Sequence, residues 1–213
     1  MNNAMASDLK KISMKESTII GNFIDEARVL TNRRNFGHQG AYRFVCVGEL
    51  VERKGIIDLI KTAKLMKGSG VNFQLAFYGE GDLEKRAAEL IEQFALSELV
   101  FLKGYTKDIF GKIAEADVLV SASYTEGTSR SALESLCLGI PCVMRDIPEN
   151  RELIDIGVNG DLFRNLDELP AKLVKMASYS RVNKTYKGSL IPVFNKQMEA
   201  RSKTIRLIQS HLK

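Results

Sequence analysis

Apolar positions along the chain fall into two alternating rhythms. Short runs rich in β-branched and aromatic residues occupy 42–47, 72–78, 99–102, 117–123 and 140–144, the signature of buried strands. Between them, apolar residues recur at helical spacing over 56–66, 83–96, 108–116, 132–138 and 166–178. Gly68 and Gly70 end the first of these helices; Gly139 and Pro141 end the fourth. With a sixth strand in 157–163, before the last helix, strands alternating with helices predict an α/β fold with a parallel six-stranded sheet covered on both faces. A doubly wound, six-stranded, Rossmann-like sheet of order 3-2-1-4-5-6 would make strands one and four neighbours, with their exit loops opening into one crevice. The core domain is expected over 41–180. Residues 1–40 are expected to form an arm and linker-like segment, with a short polar helix at 7–17. A loose polar stretch at 179–189 and a helix from Pro192 onward would complete a basic helical tail over 181–213.

The stretch 125–134, Thr-Glu-Gly-Thr-Ser-Arg-Ser-Ala-Leu-Glu, leaves the fourth strand through a turn containing Gly127 and enters a helix rich in small hydroxyl residues. Free N–H groups of a first helical turn, with the helix dipole, suit a phosphate. Thr128, Ser129, Arg130 and Ser131 stand at that turn. Two carboxylates bracket it, Glu126 before the helix and Glu134 about two turns inside. Carboxylates are poor phosphate ligands and good acceptors for sugar hydroxyls. The stretch therefore suits a diphosphate carrying a sugar at each end.

Ser123-Tyr-Thr-Glu126-Gly127, followed by Glu134 and Gly139-Ile-Pro141, resembles the Glu-x7-Glu motif of glycosyltransferase family 4. Those enzymes have the GT-B fold, two Rossmann-like domains with the active site between them. Further segments match in order. Thr18-Ile-Ile-Gly-Asn22-Phe-Ile-Asp25 is similar to the family's interdomain Ile-x-Asn-x-x-Asp segment. The turn from Gly48 to Gly55 resembles Gly-Arg-Leu-x-x-x-Lys-Gly: Lys54 matches, Glu49 replaces the arginine, and Arg53 stands ready to compensate. Gly79-Glu-Gly81-Asp82 looks like the family's Gly-x-Gly turn, and Gly157-Val-Asn-Gly160-Asp-Leu-Phe163 like its last turn and sixth strand. The resemblance implies that Lys54 and the amides around Ser129 to Ser131 hold the donor diphosphate, that Glu134 binds the ribose, and that Glu126 meets the donor sugar near its reacting carbon. It also implies a base contact near Tyr105, retention of anomeric configuration, and no metal or cofactor. The donor is a UDP- or GDP-sugar and the acceptor a surface glycan or a lipid-linked one. The expected chain is then the donor-binding half of such an enzyme, its acceptor domain missing or supplied by a partner. The alternative is a non-catalytic nucleotide-sugar binding module or the remnant of a split gene. An NAD site is disfavoured because the glycine turn lacks the third glycine and follows the second strand. A receiver domain is disfavoured because the first strand ends in a single carboxylate, Glu49.

Charge adds a further expectation. The 213 residues carry 31 Lys and Arg against 26 Asp and Glu, a net +5. Between 171 and 213 the basic residues are Lys172, Lys175, Arg181, Lys184, Lys187, Lys196, Arg201, Lys203, Arg206 and Lys213, opposed only by Glu199. A solvated helical face is the default reading, followed by attraction to an anionic membrane surface or lipid-phosphate acceptor. No aromatic-interleaved basic motif accompanies the charge, so nucleic acid is not expected. His38 and His211 are isolated, and Cys46, Cys137 and Cys142 match no metal spacing. Buried thiols of odd number, no signal-peptide pattern and no bilayer-length apolar run point to the cytoplasm, with peripheral contact at the inner face of the membrane.

Overall fold

The computed structural model describes residues 24–31 and 40–182, together with Ser202 and Arg206. The polar helix expected at 7–17, Asn22 of the linker-like segment and the helix expected from Pro192 lie outside the described residues. In chain order the elements are α1 (Glu26–Leu30), β1 (Tyr42–Val47), a 3-10 turn (Glu52–Lys54), α2 (Ile56–Gly68), β2 (Phe73–Tyr78), α3 (Glu84–Gln93), β3 (Val100–Leu102) and α4 (Ile109–Ala114). There follow β4 (Val118–Ser121), α5 (Arg130–Cys137), β5 (Cys142–Arg145), α6 (Pro148–Arg151), β6 (Gly160–Phe163), a second 3-10 turn (Leu166–Glu168) and α7 (Leu169–Val182).

All six strands are parallel, in the order β3-β2-β1-β4-β5-β6. This is the doubly wound order expected by analogy with the Rossmann-like fold. Because side chains alternate across a strand, neighbours along β1 feed opposite faces. Phe44 and Cys46 join Phe73, Phe77 and Phe163 in the core beneath α2, α3 and α7. Val45 joins Leu119, Cys142 and Met144 beneath α4 and α5, where α1 also packs. Burying a large apolar side chain contributes roughly 1.5–3 kcal/mol, so the two layers together hold the sheet. Cys46 and Cys142 are buried among them, and burial pushes both thiols up to about 12.

Two local departures from the sequence expectation have simple causes. Helix α1 has one turn, too short to show a period; the Asp25 side chain accepts from the Arg28 N–H at 3.2 Å and starts it. Residues Tyr179 to Val182, expected to be loose and to begin the tail, continue α7. Their polarity reflects ion pairing. Arg181 grips both carboxylate oxygens of Asp117, at 3.0 and 2.8 Å, and donates to the carbonyls of Gly40 and Ala41. It also lies over the Tyr42 ring, and the Tyr42 hydroxyl is 2.8 Å from Ser178 Oγ. The end of α7 is thus clamped to the beginning of β1, at the opposite end of the sheet from the strand exits.

Candidate active site

Strands β1 and β4 are adjacent, with Phe44 opposite Val118 and Val45 opposite Leu119. Their exits open at the switch point, where doubly wound sheets bind ligands. The chain leaves β1 through the 3-10 turn and reaches Gly55 with φ 64°, a left-handed conformation that glycine adopts freely. A Cβ on Gly55 would lie 2.2 Å from the carbonyl oxygen of Ala122, so only glycine allows α2 to begin against the exit of β4. That close approach delivers Lys54 to Glu126. Its Nζ donates to Glu126 Oε1 at 2.5 Å, with the two side chains only 17% and 8% exposed.

Helix α5 begins at Ser129, whose hydroxyl accepts from the Ala132 N–H at 3.3 Å and sits 3.2 Å from Ser131 Oγ. Ser129 is therefore the N-cap, occupied within the helix. The N–H groups of Arg130 and Ser131 are the first-turn donors that the cap leaves over. Thr128 and Ser131 are half-buried at this turn, and Gly127 is exposed with open space about its Cα. Ser123 is wholly buried, its hydroxyl 3.1 Å from that of Ser121, and so supports the loop from beneath. Glu134 is the fifth residue of α5, nearer its start than the expected two turns. It is buried; burial pushes its carboxyl above the usual carboxylate range, while Arg130 and Arg28 pull the other way.

The remaining predicted residues stand at the rim. Arg53 turns away from Lys54 to meet Glu49 at 3.3 Å, both largely solvated. The residue expected to compensate for the missing arginine is thus engaged by the very residue that replaced it. Tyr105 is 72% exposed beside the β2 exit, its N–H donating to Glu80 at 3.4 Å.

Three residues that the sequence did not single out join beneath this crevice. Asp58, in the first turn of α2, accepts from Arg145 at 2.6 Å and from the Tyr124 hydroxyl at 2.6 Å, both on Oδ2. Arg145 Nε donates to the Ala122 carbonyl at 2.9 Å, and its guanidinium lies over the rings of Tyr124 and Phe163. Nothing local marks positions 58, 124 and 145; only the parallel order of β1, β4 and β5 brings them together.

A six-stranded doubly wound sheet whose switch-point crevice holds a lysine, two buried carboxylates and a capped helix start has the architecture of a GT-B type glycosyltransferase domain. The family model for glycosyl transferases group 1 matches residues 30–198, and the chain belongs to that family. Among curated relatives, the chain is 29% identical over 147 residues to the putative colanic acid biosynthesis glycosyltransferase WcaL of Salmonella typhimurium, covering 65% of this chain and 36% of WcaL. Among solved structures, a TarM variant of S. aureus in complex with Fondaparinux, alpha-GlcNAc-glycerol and UDP superposes with a TM-score of 0.72 at 24% identity, over 92% of this chain and 43% of TarM. A glycosyltransferase from Rickettsia africae superposes with a TM-score of 0.81 at 18% identity, over 99% of this chain and 62% of that one. These structural likenesses establish the fold. The chain spans about a third of WcaL.

Proposed function

We propose that this domain binds the nucleotide-sugar donor as one half of a retaining glycosyltransferase that extends a surface polysaccharide or a lipid-linked glycan. The observation that carries the reading is the convergence of Lys54, Glu126 and the start of α5 at the exits of β1 and β4. Lys54 and the N–H groups of Arg130 and Ser131 suit the diphosphate, and Glu134 suits the ribose hydroxyls. Glu126, beside Lys54, faces where the transferred sugar would lie. In transfer, the bond from the anomeric carbon to the diphosphate breaks as the acceptor oxygen bonds to that carbon. Lys54 and the helix dipole would stabilise the charge on the departing nucleoside diphosphate, the largest demand of such a step. UDP is the first nucleotide to test, since the TarM complex contains it.

Calorimetry with UDP and GDP on the wild-type chain and on Lys54→Ala tests the reading. Loss of a charge-assisted contact should weaken the preferred nucleotide by about 1.5–3 kcal/mol, roughly ten- to 150-fold. Equal affinity in both proteins, or no binding of either nucleotide, would refute it.

A further inference from the structure

We infer that Asp58, Tyr124 and Arg145 are positioning residues that set the Lys54 turn and the Glu126 segment at their working separation. The inference rests on the donor-site reading above and assigns these three residues a role in it. Lys54 and Glu126 hang from two different loops, separated by 72 residues in sequence. Each loop is anchored a few residues away. On one side, Lys54 is followed by Gly55 and the first turn of α2, which carries Asp58. On the other, Glu126 lies two residues beyond Tyr124. The Tyr124 hydroxyl reaches Asp58, and the Tyr124 N–H donates to the Arg53 carbonyl at 2.9 Å. Side chain and backbone of one tyrosine therefore bind both ends of the lysine turn.

Arg145 supplies the third anchor. Reaching across from the end of β5, it joins Asp58 and the Ala122 carbonyl, the same carbonyl against which Gly55 is pressed. One guanidinium thus spans the exits of β4 and β5 and the first turn of α2. The Asp58 and Arg145 side chains are 12% and 15% exposed, so water competes weakly for them. Tyr124 is half-exposed, yet its ring lies 4.3 Å from the Arg145 guanidinium carbon, which holds the ring in place from one face. Contacts to the Asp58 carboxylate and burial also raise the Tyr124 hydroxyl above the usual phenol range, keeping it a donor. Each of the three acts on Lys54 and Glu126 through the backbone that carries them.

Removing one partner would strand a buried charge and unfold the site for trivial reasons. The test therefore removes both charges together, as Asp58→Leu with Arg145→Met, and uses Tyr124→Phe as the mild variant. Three quantities are measured on the whole 213-residue chain of each variant: melting temperature, UDP and GDP affinity by calorimetry, and the acylation rate of Lys54 relative to Lys64 by mass spectrometry. If the network positions the site, the paired variant melts within a few degrees of wild type, acylates Lys54 several-fold faster and binds the preferred nucleotide at least tenfold more weakly. Tyr124→Phe shifts the last two in the same direction by about two- to threefold. A folded paired variant with wild-type Lys54 reactivity overturns the inference, as does one whose losses all follow its melting temperature. If wild type binds neither nucleotide, the donor reading falls, and the Lys54 reactivity of the folded variants still decides whether the network positions the turn.

Discussion

Glu126 is held by the cation that a diphosphate would have to recruit. With its side chain 8% exposed and Lys54 Nζ at 2.5 Å, the carboxylate is a competitor for the incoming anion as well as a neighbour of the sugar. Glu126→Gln should therefore leave nucleoside diphosphate binding unchanged or strengthen it, since Lys54 no longer has to give up a buried carboxylate for the diphosphate. The same change should lose the preference for the matching nucleotide-sugar. Comparing the bare diphosphate with its sugar conjugate by calorimetry reads both effects, and parallel weakening of the two ligands would contradict this account. The placement of Glu126 before α5 and Glu134 within it was legible in the sequence, because an apolar run, a glycine turn and a helical period fix where that helix begins. The helix-capping use of Ser129 and the engagement of Arg53 by Glu49 were not legible, since both depend on side-chain directions rather than on spacing.

Elements were easier to read than their junctions. The first five strands announced themselves by short apolar-rich runs, because both faces of the sheet are covered, whereas β6, which contains Asp161, was read only through the family resemblance. What ties adjacent elements is polar and non-local. Asp146, just after β5, accepts from Arg151 at the end of α6 and from Arg164 just beyond β6, and these bonds hold its carboxyl down to about 2 from 3.8. A carboxylate lowered by folding stabilises the native state above its unfolded value, and that contribution disappears as the pH falls through the folded value. Asp146→Asn should accordingly be less stable than wild type at neutral pH, with the gap closing between about pH 4 and pH 2. Urea midpoints across that range check it; a gap independent of pH would mean that Asp146 acts by shape alone.

At the scale of the molecule, the sheet keeps its two ends for different purposes. Exits at one end gather the site, while at the other Arg181 ties α7 to Asp117 at the entry of β4 and to the Gly40 and Ala41 carbonyls just before β1. The reading of a free basic tail changes here. Arg181 is matched by Asp117, and Lys172 and Lys175 face Asp161 at 2.8 and 3.8 Å. Anionic-surface attraction would fall to the basic residues beyond Val182, of which Arg206 alone is described, as exposed. Composition marked these three as part of a basic run because their acidic partners lie elsewhere in the chain. Arg181→Met leaves a buried carboxylate whose remaining partner among the described residues is the Arg43 N–H, and should cost about 3 kcal/mol, the low end for breaking a buried pair. Urea denaturation with an unchanged slope measures it; a loss under 1 kcal/mol would show that solvent replaces the guanidinium.

The clamp also reverses an ordinary expectation about helix ends. A last helical turn exposed to water exchanges its amide hydrogens by fraying, at little free-energy cost. Arg181 lies in the final turn of α7, yet its side chain is fastened to the backbone at Gly40 and Ala41 and to the buried Asp117. Amides of 179–182 should then exchange only when β1 itself detaches, on the slow timescale of the central sheet. In Arg181→Met they should exchange early while the centre of α7 stays protected, so that one side chain decides whether this terminus belongs to the most durable or the least durable part of the domain.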